Sequence, residues 1–175
     1  MSLLYHNRGA LRCGAGHSFD IAREGYVNLL PAQAKHSLAP GDDKTMSAAR
    51  RAFLDKGWYA PLRDALCALA VELTSSSPTV LDAGCGEGYY TSGIRQALEQ
   101  AGKTPQVAGT DISKFILRSA ARRDKAVAFA VASSYHLPLA SESVELLLDC
   151  FSPLAAEEFA RVLRPGGGFL YVIPA

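Results

Sequence analysis

The sequence predicts an α/β fold, an open parallel sheet with helices on its faces. Three observations carry this expectation. First, from Thr79 onward apolar runs at 79–83, 106–112, 127–132, 144–151 and 168–173 alternate with helical patterns near 89–101, 113–123 and 155–163. Strands joined through helices run parallel, with right-handed crossovers. Second, Val144 to Leu148 is nearly continuously apolar, as suits a strand covered on both faces. Third, the first run leads into Asp82-Ala83-Gly84-Cys85-Gly86-Glu87-Gly88, a carboxylate followed by three glycines at alternate positions. Glycine there lets the backbone bend sharply and lets a ligand lie against it.

The elements before the sheet are less regular. Residues 1–40 show no clear period and contain Gly9, Gly14, Gly16, Gly25, Pro31 and Pro40. Ser18–Ile21 and Tyr26–Leu30 suit small strands. Pro40-Gly41-Asp42-Asp43 reads as a turn. A helix is expected from about Asp43 or Thr45 through Leu54, with Gly57 ending it. A second helix follows from about Trp58 to Leu73, its apolar face given by Leu62, Leu66, Leu69 and Leu73. Ser75-Ser76-Ser77-Pro78 then breaks the chain. Ser113 suits the N-cap of the helix after 106–112. The expected organisation is an N-terminal segment (1–40), a helical connection (41–78) and the α/β unit (79–175).

Composition excludes several classes. A chain of 175 residues makes about one domain. It is 49% hydrophobic and 20% charged, which argues against disorder. No run of 18 apolar residues occurs, so no membrane helix is expected. The start shows no basic-then-apolar leader, and a cytoplasmic location is expected. Cys13, Cys67, Cys85 and Cys150 are scattered, not spaced as a disulfide framework. Cys67 and Cys150 read as small core residues, and Cys85 lies inside the glycine turn. The net charge is +1, but residues 1–60 hold eight Lys/Arg against five Asp/Glu, while residues 61–175 hold ten against twelve. That asymmetry is a weak pointer to RNA and equally suits a solvated face.

The glycine pattern separates cofactors. A dinucleotide turn is G-x-G-x-x-G, and counting from Gly84 the third glycine would fall on Tyr89. NAD is therefore not expected. Asp111 ends the second strand, 27 residues past Gly84, where a carboxylate can accept from ribose hydroxyls. It also suits a carboxylate favoured by a helix N-terminus. Asp149-Cys150-Phe151-Ser152-Pro153 ends the fourth strand. Asp149 as a hydrogen-bond acceptor for a substrate nitrogen, with Phe151 stacking on a base, stands beside plain strand-end packing. Arg50, Arg51 and Lys56 suit phosphate contacts or an exposed helix face. Cys13-Gly14-Ala15-Gly16-His17 has C-x3-H spacing, half of a zinc ligand set.

Asp82 to Gly88 resembles motif I of the class I S-adenosylmethionine-dependent methyltransferases, whose sheet is Rossmann-like. Further segments resemble a narrower family, the bacterial 23S ribosomal RNA (guanine-N1)-methyltransferases. They are Cys13-x3-His17-Ser18-Phe19-Asp20, Arg23 to Pro31, Pro40-Gly41-Asp42, Ala49 to Leu54, Tyr59-x-Pro61-Leu62 and Gly84 to Thr91. The resemblance implies a zinc-ribbon-like N-terminal segment that helps read RNA, followed by a methyltransferase domain. It assigns S-adenosylmethionine as cofactor and ribosomal RNA as substrate. Tyr59, Asp82, Gly84, Gly86, Glu87, Gly88 and Asp111 are the implied cofactor residues, with Ser133 in the loop facing the adenine. Cys13 and His17 match the second zinc ligand pair. Family members carry a C-x2-C pair before this one and continue past a fifth strand, so the resemblance implies further chain at both ends. Residues 79–175 by themselves equally suit a small-molecule methyltransferase or a binding fragment without turnover; residues 11–60 point to RNA.

Overall fold

The computed structural model describes residues 4–7, 9–30 and 44–174. The Pro40–Asp43 turn, with Pro31, lies outside them. Three strands, β1 (Leu4–Asn7), β2 (Ala10–Cys13) and β3 (Ser18–Asp20), form an antiparallel sheet in that order. The next strand, β4 (Tyr26–Asn28), leaves that sheet and pairs in parallel with β7 (Ala128–Val131), Val27 against Ala130. It becomes one edge of a six-stranded sheet ordered β4, β7, β6 (Gln106–Asp111), β5 (Thr79–Ala83), β8 (Val144–Cys150) and β9 (Leu163–Val172). Every pairing in this sheet is parallel. The predicted α/β architecture is therefore present, extended at one edge by a strand from the N-terminal forty residues.

The helices are α1 (Lys44–Leu54), α2 (Ala60–Leu73), α3 (Tyr89–Gln100), α4 (Lys114–Arg123) and α5 (Ala156–Val162). Gly57, at φ +79°, ends the run after α1, and its N–H bonds the Leu54 carbonyl. All seven residues of β8 are buried, as its apolar run predicts. One core layer joins Leu66, Ala70, Ile94, Leu98, Ile116 and Leu117 to the sheet; a second, with Leu81, Leu147, Phe159 and Val162, lies under α5. Burying Phe159 alone contributes about 2–3 kcal/mol. Lys103 Nζ bonds the carbonyls of Val71 and Thr74, satisfying the open end of α2.

Three local expectations are corrected. The apolar face of α2 keeps only half of the leucine stripe: Leu66 is buried with Ala70 and Leu62 packs partly buried against the core, while Leu69 and Leu73 are 41% and 47% exposed. The helix rolls because it packs on α3 through Gly93, where an added Cβ would lie 3.0 Å from Arg63 Cδ and 3.4 Å from Cys67 Sγ. Next, β9 begins at Leu163, not 168. Leu163 pairs with Val144 and Gly168 with Leu146, so the Arg164–Gly167 stretch bulges from the strand. Finally, Ser113 takes the N-cap position with extended backbone, but its side chain does not cap α4.

Candidate functional site

The glycine turn lies at the carboxyl end of β5, beside the ends of β6 and β8. In an open α/β sheet this is where ligands bind. A cleft opens there in two lobes of about 220 Å³ and 280 Å³, a size suited to a small-molecule ligand. Arg50, Gly84, Cys150 and Phe151 line both lobes and so form the waist between them. The first lobe adds Phe53, Tyr59, Gly86, Glu87 and Tyr90. The second adds Asp111, Ile112, Ile116 and Ser133.

The three glycines do different work. Gly84 has φ +79°, and an added Cβ would lie 2.4 Å from Ser152 Cβ and Oγ. It lets the β5 and β8 ends approach, and Ser152 Oγ donates to the Ala83 carbonyl at 3.2 Å. Gly86 has φ +55°, and its Cβ would meet only Ile116 Cδ1, at 3.6 Å. Its open side belongs to the cleft. A Cβ on Gly88 would press on Phe129 and Ala120 at 3.2–3.3 Å, so Gly88 seats α3 on the sheet.

Four carboxylates surround this turn. Asp82 is 1% exposed and accepts from the Thr91 hydroxyl at 2.5 Å, but its other oxygen has no partner among the described residues. Burial, with Asp149 and Asp111 nearby, pushes it up to about 7 against the pull of Thr91. Asp111 accepts from the Gly86 N–H at 3.1 Å and the Ser113 N–H at 2.8 Å, tying the glycine turn to the start of α4. Glu87 is 2% exposed with neither oxygen hydrogen-bonded among the described residues. Burial raises its pKa, while the Arg123 and Arg50 charges oppose the rise. Arg123 sits 3.7 Å from Glu87 Oε1 and donates to the Glu87 carbonyl at 3.2 Å.

The fourth, Asp149, does not stand where the sequence expectation put it. It is fully buried and lines neither lobe. Its Oδ1 accepts from the Ser152 N–H at 3.2 Å, and burial raises its pKa. Of the two readings of this residue, the geometry matches strand-end packing. The residue it helps place is Phe151, whose φ of +59° is rare for an aromatic side chain. Phe151 meets Tyr59 edge-to-face at 5.9 Å, and Tyr59 meets Phe53 at 5.8 Å. An aromatic rim thus stands beside the first lobe.

The structure brings Tyr59, Gly84, Gly86, Glu87, Asp111 and Ser133 to one cleft, with Asp82 and Gly88 beneath it. Ser133 Oγ accepts from the Tyr135 N–H at 3.2 Å. Arg51 pairs instead with Asp55 on an exposed helix face. Sequence reasoning missed Thr91, Ser152 and Arg123. Thr91 follows the glycines by one helical turn, a readable signal. Arg123 is 36 residues from Glu87 and left no local signal.

Cys13 and His17 meet across the β2–β3 turn, Sγ to Nδ1 at 3.2 Å. Among the described residues no group of three or more potential metal ligands exists. Two ligands do not make the tetrahedral set that a structural zinc requires. Among the same residues, no helix is long and apolar enough to cross a membrane.

Comparison with known proteins agrees with this geometry. Residues 1–38 match the zinc-ribbon family described as RlmA, N-terminal. A Micromonospora griseorubida protein provisionally named a 23S rRNA (guanine-N(1)-)-methyltransferase is 41% identical, over 94% of this chain and 59% of its own length. The Streptomyces fradiae 23S rRNA (guanine(748)-N(1))-methyltransferase is 38% identical, over 94% and 57%. The chain spans about three-fifths of the length of these relatives. Among solved structures, a Methanococcus maripaludis protein provisionally described as an S-adenosyl-L-methionine-dependent methyltransferase superposes with TM-score 0.62 at 17% identity, covering 78% of this chain and 67% of its own. At that identity the likeness shows the fold. Residues 80–167, half of the chain, match the methyltransferase-domain family, and with the parallel sheet and glycine turn in place the chain belongs to that family.

Proposed function

We propose that this chain carries the methyl-donor site of an enzyme that transfers a methyl group from S-adenosylmethionine to N1 of a guanine in 23S ribosomal RNA. One observation carries the reading. Arg50, Phe53 and Tyr59, from the segment whose sequence pointed to RNA, wall the same cleft as the glycine turn. Donor and acceptor halves then share one opening. A relative named for this activity matches over 94% of the chain, which supports the reading.

The residues present suit the cofactor. Asp111, Ile112, Ile116 and Ser133 form a lobe fit for an adenosine, with the carboxylate toward ribose hydroxyls. Gly84, Gly86, Glu87 and Tyr59 form the lobe for the amino-acid end. Glu87, buried and without a hydrogen bond, is the acceptor for its ammonium group. Glu87 and Asp111, which line the two lobes, are the carboxylates placed to meet the cofactor's ammonium group and hydroxyls. When bound, the cofactor supplies a methyl group made electrophilic by its sulfonium.

The protein's share is alignment. Holding guanine N1 in line with the methyl converts a bimolecular step into an effectively unimolecular one, in which the N1–C bond would form as the S–C bond breaks, the demethylated cofactor leaves and the N1 proton passes to solvent. Tyr59 and Phe151 at the rim stack the base. The target base must leave its stack to enter the cleft, or come from a loop. Asp149 acts through the Ser152 turn that presents Phe151, as a positioning residue. Cys13 and His17 serve as half of a zinc site completed by ligands outside the described residues. Ribosomal RNA as substrate supports a cytoplasmic location for the chain.

The experiment is methyl transfer from labelled S-adenosylmethionine to 23S rRNA fragments, quinones and acyl carriers, with nucleoside mass analysis of the product. Label recovered as N1-methylguanosine is the expected result. Label on a small acceptor only would replace this reading with a small-molecule methyltransferase; cofactor binding without transfer to any acceptor would leave a binding fragment.

A further inference from the structure

Helix α4 carries a stripe of cations on its solvent face. Its core face is Ile116, Leu117, Ala120 and Ala121. Lys114, Arg118 and Arg122 recur every four residues on the exposed side, with Arg118 and Arg122 side chains 52% and 66% exposed. The helix contains no acidic residue. Like charges at i,i+4 destabilise a helix by about 0.2–0.5 kcal/mol per pair. A cation in the first turn, as Lys114 is, also opposes the helix dipole. Lys125 and Arg23, both exposed, extend the stripe past the end of α4.

The stripe also has a direction. Ile112 and Ile116, at its start, line the second lobe of the cleft. Its far end meets the β3–β4 turn, where Glu24 bonds Arg122 at 3.0 Å, lies 3.9 Å from Arg118 and receives Lys125 at its carbonyl. Cations spaced four residues apart lie about 6 Å apart along the helix axis. The chain as a whole is only +1, so this concentration does not follow from overall charge.

We infer that Lys114, Arg118, Arg122 and Lys125 form a phosphate track that holds the substrate RNA backbone between the N-terminal sheet and the cleft. The inference rests on RNA being the substrate. These contacts carry no base information and set position, register and salt dependence. Glu24 neutralises part of the track in the free protein and competes with phosphate for Arg122.

Two variants test it with opposite signs. Lys114→Gln/Arg118→Gln/Arg122→Gln is expected to weaken binding of a 23S rRNA fragment about tenfold at physiological salt, and to reduce the slope of log affinity against log salt by about 2. Cofactor affinity is expected to stay the same. Glu24→Gln is expected to tighten RNA binding, whereas a merely structural role for the Glu24–Arg122 pair would weaken it. Unchanged RNA affinity and salt slope in the triple variant would overturn the track while wild-type methylation of RNA still stood. Wild-type binding through the track without methyl transfer to RNA would instead overturn the proposed function alone. Triple-variant loss of binding to phosphatidylserine vesicles, with RNA binding intact, would assign the stripe to a membrane surface and also overturn it.

Discussion

Arg123 holds Glu87 from two sides, its guanidinium 3.7 Å from the carboxylate and bonded to the Glu87 carbonyl at 3.2 Å. It also reaches Asp55, just past α1, at 3.2 Å. One side chain from the end of α4 thereby fixes a buried cleft carboxylate and the segment that walls the cleft. Arg123→Ala is expected to cost about 1.5–3 kcal/mol of cofactor affinity, the range for a hydrogen bond to a charged group. Glu87 would lose the charge that opposes its raised pKa, so binding in the variant should fall off at a higher pH as acid is added. Calorimetric titration with S-adenosylmethionine across pH checks both effects.

Gly84 and Gly86 should respond differently to alanine. At Gly84 the new Cβ collides with Ser152, and overpacking of this kind costs about 1–3 kcal/mol. Gly84→Ala combined with Ser152→Gly should recover part of that loss, an interaction a double-mutant cycle reads. At Gly86 the Cβ has room but φ is left-handed, so Gly86→Ala should cost only the backbone strain of about 1–2 kcal/mol, with no collision for Ser152→Gly to relieve, and should lose cofactor affinity as well. A Gly86→Ala protein that binds normally would remove the turn from the cofactor site.

Asp82 makes stability depend on pH. Its folded pKa of about 7 lies above the ordinary 3.8, so the native state holds a proton that the unfolded chain releases. Stability linked to Asp82 is full below the ordinary carboxylate value and is lost as pH rises through about 7. At 1.36 kcal/mol per pKa unit the loss reaches roughly 4 kcal/mol. Asp82→Asn keeps an acceptor for Thr91 and removes the charge. Its melting temperature should exceed wild type at pH 8 and differ little at pH 4.

Asp149 separates a base from a positioning residue. Asp149→Asn keeps an oxygen for the Ser152 N–H and cannot accept a proton. Turnover within a few-fold of wild type is the result expected of a residue that shapes the turn. A loss of two to four orders of magnitude, the usual contribution of general base catalysis, would make Asp149 the base.

Phe151 adopts a left-handed backbone that costs about 1–3 kcal/mol for a non-glycine residue. Phe151→Gly relieves that strain and removes the ring from Tyr59. Melting temperature should change little, while RNA methylation falls and cofactor affinity holds. An equal loss of both activities would point to collapse of the cleft waist.

The strands of the sheet, the order of its helices and the glycine turn were legible in the chain, because alternating apolar runs and glycine spacing are local properties. The same holds for Asp111, placed by its distance from Gly84. Tertiary packing decided the rest. The α2 face turned from Leu69 and Leu73 because Gly93 of α3 admits Arg63 and Cys67, which no window of α2 reveals. Strand β4 joined the main sheet because β7, a hundred residues away, offered an edge. Asp149 went inside because the β8–β9 pairing buries the strand end, and Arg123 reached Glu87 across 36 residues. Periodicity records which side of an element is apolar; which element covers it, and which charges then meet, depends on distances only the folded chain sets.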